Sequence, residues 1–344
     1  MNLELLRRLS DAFGPPGMED EVREIIRGEA EKYSSKIETD VLGNLIVEFG
    51  DPSSRPRVLV AAHMDEVGFM VRFVDKRGFL YVHRVGGVNL EIVPGSRILF
   101  ETSKGKVLGV AQRRISGKTE DIFIDIGAAR REDAHRQGIE IGTMGVFEPC
   151  FRTMNTGYRV MGKAFDDRMG CFVALEVMRR IKVEKGHLVY VFTSMEEIGG
   201  KGSTVAGYTL EPDYCLVLEG TFALDVPGVP EEDWVNRLGR GPAIRKMDAS
   251  TVHNVRLFNF FKKVARELNL PYQIQVTRRG GTDASKIEVT RSGVVSGVIS
   301  VPNRYIHTGV MIADIDDIEN TIKLSAGVID RLLRGTEKIT IKSN

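Results

Sequence analysis

Two hydrophobic periods alternate along this chain in blocks. Leu5, Leu6 and Leu9 share one helical face in residues 3–13, and Gly14-Pro15-Pro16-Gly17 stops that helix. Val22, Ile25, Ile26 and Ala30 form the apolar stripe of a second helix over 19–33. Residues 44–49 and 57–62 are short apolar runs that read as strands. Helices alternating with strands predict an α/β layer. After Gly68 the pattern changes. Residues 69–74 and 79–84 flank Lys76-Arg77-Gly78 as a hairpin, and 97–101 and 107–112 flank Ser103-Lys104-Gly105 as another. Residues 121–126 and 142–148 add strands, and only 132–137 reads as helix. That block is long enough to form a small barrel of its own. From Asp166 onward the first pattern returns: helices at 169–181, 203–208, 252–268 and 316–333, strands at 187–193, 214–218, 272–277 and 294–301. The expectation is an α/β domain built from both ends of the chain, residues 1–67 and 163–344, interrupted by an inserted β domain, residues 68–162.

Composition narrows the function classes. The chain has 344 residues, 42% of them hydrophobic, which suffices for a sizeable core. Its 48 basic and 47 acidic residues nearly cancel, so nothing electrostatic points to nucleic acid or an anionic membrane. A charged fraction of 28% is slightly above average and mildly suggests a heat-adapted source. Cys150, Cys171 and Cys215 are odd in number and unpaired in spacing, as expected for reduced thiols. No stretch approaches the roughly 20 apolar residues of a membrane span, and a cytoplasmic protein is expected.

Candidate chemistry gathers where strands end. The run 188–193 stops at two adjacent acids, Glu196 and Glu197. Residues 58–62 run into His63-Met64-Asp65-Glu66, and 214–218 into Glu219. Asp166 and Asp167 stand just before a helix, and His307 follows the last strand. Ligands of open α/β sheets collect beyond the carboxyl ends of the strands. Adjacent carboxylates there repel unless a cation holds them. Two imidazoles and several carboxylates without cysteine suit Zn²⁺, Co²⁺ or Mn²⁺. Each piece alone has an ordinary reading: a solvated Glu-Glu turn, a helix cap with an ion pair, a loop histidine. Their common placement gives the combination its weight.

The segments AAHMDEVG, GKAFDDRMG, TSMEEIGGKG, RRGGTDASKI and PNRYIHTGV, in this order, resemble the M42 family of dinuclear metallo-aminopeptidases over essentially the whole chain. The resemblance implies a hydrolase-like three-layer αβα catalytic domain with an inserted β-barrel for dimerisation. It implies two divalent ions per subunit, Zn²⁺ or Co²⁺. His63 and Glu219 would bind the first ion, Glu197 and His307 the second, and Asp166 would bridge. Asp65 would orient His63, and Glu196 would be the general base. Short peptides would be the substrates, and twelve chains would assemble from dimers into a tetrahedral shell. Two departures stand out. Many members carry aspartate where Glu219 stands, and Ser-Pro-Val-Glu where this chain has Thr308-Gly309-Val310-Met311. The alternatives are another metal-dependent amidohydrolase on the same scaffold, such as a deacylase or carboxypeptidase, a glucanase, or a non-catalytic shell protein with a relic site. Gly280-Gly281-Thr282-Asp283 reads first as a glycine turn with a helix cap. Trp234 reads as an interface anchor or a lid residue.

Overall fold

A computed structural model describes residues 1–114, 121–335 and 339. The apolar runs become a sheet of eleven strands. From one edge its order is Ile37–Thr39, Leu45–Gly50, His187–Thr193, Arg57–His63, Tyr214–Phe222, Val295–Arg304, Met311–Asp314, Arg159–Gly162 and Arg152–Thr153. Ala243–Met247 branches from Val295–Arg304 and carries Gln273–Val276. The four strands from His187–Thr193 to Val295–Arg304 are mutually parallel and carry long apolar runs, because helices cover both faces.

Alternation along each strand sorts the core into two layers. Val58, Val60, Tyr190 and Leu216 face the helices Leu3–Asp11, Asp20–Ala30, Phe165–Met178, Val255–Glu267 and Ile315–Arg334. Leu59, Ala61, Val191 and Val217 face the shorter helices Lys201–Leu210 and Asp283–Ile287. This is the expected three-layer αβα arrangement. All of Phe165–Met178 is buried, which explains why its apolar residues run all round rather than along one stripe.

Six antiparallel strands between Gly68 and Phe147 close into a barrel around Phe69, Val82, Ile98, Phe100 and Ile124. Its order is Gly68–Val74, Leu80–Val85, Ile122–Asp125, Gly105–Arg113, Arg97–Thr102 and Met144–Phe147. Arg152–Thr153 and Arg159–Gly162, which the sequence placed with this insertion, instead pair into the large sheet through Met311–Asp314.

Register aligns the strand exits. Thr193 lies beside His63, and Val217 beside Ala61, so Glu219 reaches the height of His63. No helix among the described residues is long and apolar enough to cross a membrane.

Candidate metal centre

His63 closes its strand and is 3% exposed. Its Nδ1 lies 3.1 Å from the carbonyl oxygen of Asp65, which can only accept, so this nitrogen carries the proton. Its Nε2 is left to face Asp166 Oδ1 at 3.1 Å. His307 repeats the device from the far side. Nδ1 donates to the Gly87 carbonyl at 3.1 Å, while Nε2 faces Asp166 Oδ2 at 3.2 Å and Glu197 Oε1 at 3.3 Å. A backbone carbonyl that fixes the tautomer and frees the other nitrogen is the usual setting of a metal-binding imidazole. Gly87 makes the approach possible, since a Cβ there would stand 2.6 Å from His307 Nδ1.

Asp65 does more than stand beside the His63 ring. Its carboxylate lies 3.4 Å from His63 Nδ1, but it accepts from the backbone N–H of Glu196 at 2.9 Å and of Glu197 at 3.0 Å. It therefore pins the turn that carries both glutamates, while its carbonyl oxygen makes the shorter of its two contacts with the histidine ring. Asp167, joined to Asp166 by a cis peptide, turns away from the pocket. It accepts from the N–H of His63 at 3.1 Å, Gly170 at 2.8 Å and Gly220 at 2.9 Å. Three chain segments are thus tied to one carboxylate behind the site. Met195, Tyr305 and His307 have φ of 55°, 60° and 61°, a region that costs non-glycine residues energy and that clusters at functional sites.

Ligand atoms of His63, Asp166 and Glu219 lie within 4.8 Å of one another, and so do those of Asp166, Glu197 and His307. All five side chains named from the sequence as ligands therefore meet, with Asp166 common to both groups. Glu196 Oε2 stands 4.0 Å from His63 Nε2 and belongs to neither group.

The electrostatics of this cluster ask for cations. Burial pushes the His63 imidazole down, but its hydrogen bonds to Asp166 and Asp65 outweigh that and hold it well above its usual range. His307 is raised in the same way, burial being overcome by Glu197 and Asp166. Burial works to raise Asp166, yet the two imidazoles hold it below the ordinary carboxylate range. Burial raises Glu196 and Glu219 far above theirs; His63 and Arg245 respectively pull the other way, and neighbouring acids add to the rise. Glu197 Oε1 and Glu219 Oε2 are buried with no hydrogen-bond partner. Buried carboxylate oxygens without a hydrogen bond, gathered around the Nε2 atoms of two imidazoles, fit a pair of divalent cations.

Arg245 was not singled out by the sequence. It sits in the five-residue strand Ala243–Met247 with its side chain 4% exposed. Its Nη2 is 3.6 Å from Glu219 Oε2, and its Nη1 is 3.1 Å from Asp248. The Gly280–Asp283 turn ends as a cap: Thr282 Oγ1 accepts from the Ala284 N–H at 3.2 Å, and Asp283 accepts from the Thr193 hydroxyl behind the pocket. Trp234 is half-buried; its indole donates to the Val229 carbonyl at 2.9 Å under the Arg237 guanidinium. The ligand groups open into a cleft of about 350 Å³.

Known proteins share this fold. The family model described as M42 glutamyl aminopeptidase matches residues 43–324. A lysyl aminopeptidase of Pyrococcus furiosus is 33% identical over 96% of this chain and 97% of its own. The crystal structure of a TET aminopeptidase from the archaeon Thaumarchaeota archaeon SCGC AB-539-E09 superposes with a TM-score of 0.92, at 36% identity and 96% coverage of both chains. A TET peptidase of Pyrococcus horikoshii, described as assembling into a tetrahedron or a large octahedral shell, gives 0.84 at 29% identity, covering 95% of this chain and 98% of the other. With its barrel, its layers and the whole length of its motifs matched, this chain belongs to the M42 peptidase family.

Proposed function

We propose that this protein is a metal-dependent aminopeptidase that removes residues one at a time from the N-termini of short peptides. The observation that carries the reading is the pair of His-carboxylate groups sharing Asp166, with Glu196 beside them and attached to neither. His63, Asp166 and Glu219 would hold one ion, and Asp166, Glu197 and His307 the other, Zn²⁺ or Co²⁺ by ligand chemistry. Such ions, when bound, polarise a carbonyl and bring the pKa of water towards ~7. Glu196 takes the proton of the attacking water and delivers it to the departing amine. Burial and neighbouring acids raise its pKa, which suits a group that must first accept a proton and then give it up. Asp65 supports this by fixing the backbone on which Glu196 rides. Arg245 steadies Glu219, whose extra methylene relative to aspartate lets it reach forward.

We assign the site to the unit of residues 1–67 and 163–344, and the barrel within 68–162 to contacts between subunits. Twelve copies would close a shell, in line with a solved TET peptidase of the same fold that is described as a dodecamer. A cytoplasmic location suits an enzyme that trims peptides.

The test is a panel of free-amine peptides and N-acylated amino acids, run with Zn²⁺ or Co²⁺ added to stripped enzyme. Wild type cleaves the free-amine set. Glu196→Gln still takes up the ions but loses roughly 10²–10⁴ in turnover. Cleavage confined to N-acyl substrates would make it a deacylase, and full activity in Glu196→Gln would remove that residue as the base.

A further inference from the structure

Beside the metal cleft lies a second cavity that the hydrolytic step does not use. It measures about 830 Å³ and shares Gly87, Phe222, Arg279, Ile306 and His307 with the cleft. The cleft holds Asp166, Glu196, Glu197 and Glu219 in about 350 Å³. Among the described residues, Glu148 is the one acid on the wall of the larger cavity, and Arg97 pairs with it. Leu224, Val226, Ile306, Phe147, Ile92 and Val310 make the rest of that wall largely apolar.

This wall is built rather than loose. Asp225, between Leu224 and Val226, takes both arms of the Arg304 guanidinium at 2.9 and 2.7 Å. The Leu224 N–H donates to the Asn236 carbonyl at 3.2 Å, and the Asn236 amide donates back to Phe222 at 2.8 Å. Ile92 and Val310 are about half exposed, at 51% and 49%, so the cavity presents apolar surface that a ligand would remove from water.

Size and position assign the occupant. An enzyme that releases one residue at a time needs a short pocket for that residue and more room for the chain behind it. The small cleft contains the reacting groups; the larger cavity joins it at His307. We infer that the larger cavity receives the second residue of the substrate and the chain beyond it, and that the enzyme favours a bulky apolar side chain at that second position. The inference rests on the aminopeptidase reading. It names Leu224, Val226 and Val310 as specificity residues on the leaving side.

Tripeptides that share first and third residues and carry Phe, Leu, Ser or Asp in the middle test it on the metal-loaded enzyme. Burying such a side chain gives an expected kcat/KM ratio, Phe over Ser, of roughly tenfold to a hundredfold. Leu224→Asn and, as a more exposed alternative, Val310→Ser each bring that ratio towards one. Calorimetric binding of the same peptides to the loaded Glu196→Gln protein follows the same order. A flat ratio in an enzyme that still cleaves the peptides overturns the inference and leaves the aminopeptidase reading standing. Loss of oligomer mass in Leu224→Asn, with a flat ratio in wild type, gives the surface to a second copy of the chain and also overturns it. Cleavage of none of the peptides ends both.

Discussion

Asp166 shows how much a single residue can do when its surroundings are fixed for it. One carboxylate faces two imidazoles, at 3.1 and 3.2 Å, and each ring is held by a backbone carbonyl on its other nitrogen. Those carbonyls belong to Asp65 and Gly87; Asp65 was named beside His63 for its side chain, but a supporting backbone carbonyl carries no mark in the residue pattern, and Gly87 was not named. The same limit applies to Arg245. Its neighbours in sequence, Ile244 and Lys246, carry no signal of a site, and its burial follows from Glu219 and Asp248. His253 packs near that pair, with Nε2 4.0 Å from Asp248. Burial pushes its pKa from 6.5 down to about 4, against the pull of Asp248. The unfolded chain therefore binds a proton at a pH where the folded one does not. The stability this provides is complete above pH 6.5 and is lost as pH falls towards 4, a difference on the order of 3 kcal/mol. Urea unfolding of wild type and His253→Gln at pH 7 and pH 4.5 measures it. The variant loses less stability on acidification, and equal losses would show that His253 is not the group involved.

At the scale of elements, long buried strands and amphipathic helices were legible because their pattern is local. The helix expected over 252–268 is Val255–Glu267, capped by Asn254, and the closing helix is Ile315–Arg334. Ile37–Thr39, Ala243–Met247 and Met311–Asp314 were not read. They run to only 3, 5 and 4 residues, and the last two owe their order to distant partners such as Ser300 and Gly162. The ties between elements were equally invisible. Lys163, beyond the strand Arg159–Gly162, and Arg168, in the helix Phe165–Met178, both reach Glu66 Oε1, at 2.5 and 3.2 Å. Their remaining donors take the carbonyls of Leu9, Ala12, Gly14 and Met64. This buried knot fastens the first helix to the loop that carries Asp65. Replacing one acid strands two buried cations, so Glu66→Gln is expected to cost about 3–5 kcal/mol of stability. A denaturant midpoint that moves by less than a quarter of that would mean water reaches the knot. Shortening Lys163 and Glu66 together to Met and Leu should recover part of the loss, because apolar replacements leave no charge behind, although Arg168 still lacks its acid.

At the scale of the molecule, the ligands come from five separate segments, spanning His63 to His307, and converge on one rim of the sheet. An ion bound there adds a further cross-link between strands and loops whose facing carboxylates repel each other. Binding to the folded chain alone adds stability by mass action, about 2.7 kcal/mol for each ion supplied at a hundred times its Kd. Stripping the protein with a chelator should therefore lower Tm as well as abolish cleavage, and Zn²⁺ or Co²⁺ should restore both in step. The ordering of variants sharpens the test. His63→Ala and His307→Ala each remove a ligand from one group only, so each keeps part of the metal-dependent rise in Tm. Asp166→Asn touches both groups and should lose most of it, with fewer than one ion retained per chain by elemental analysis. If Asp166→Asn bound as much metal as His63→Ala, the two groups would not share an ion-binding residue. If chelation left Tm unchanged and elemental analysis found no bound metal, the cluster would be an acid-histidine network without a cation, and the hydrolytic reading would fall with it.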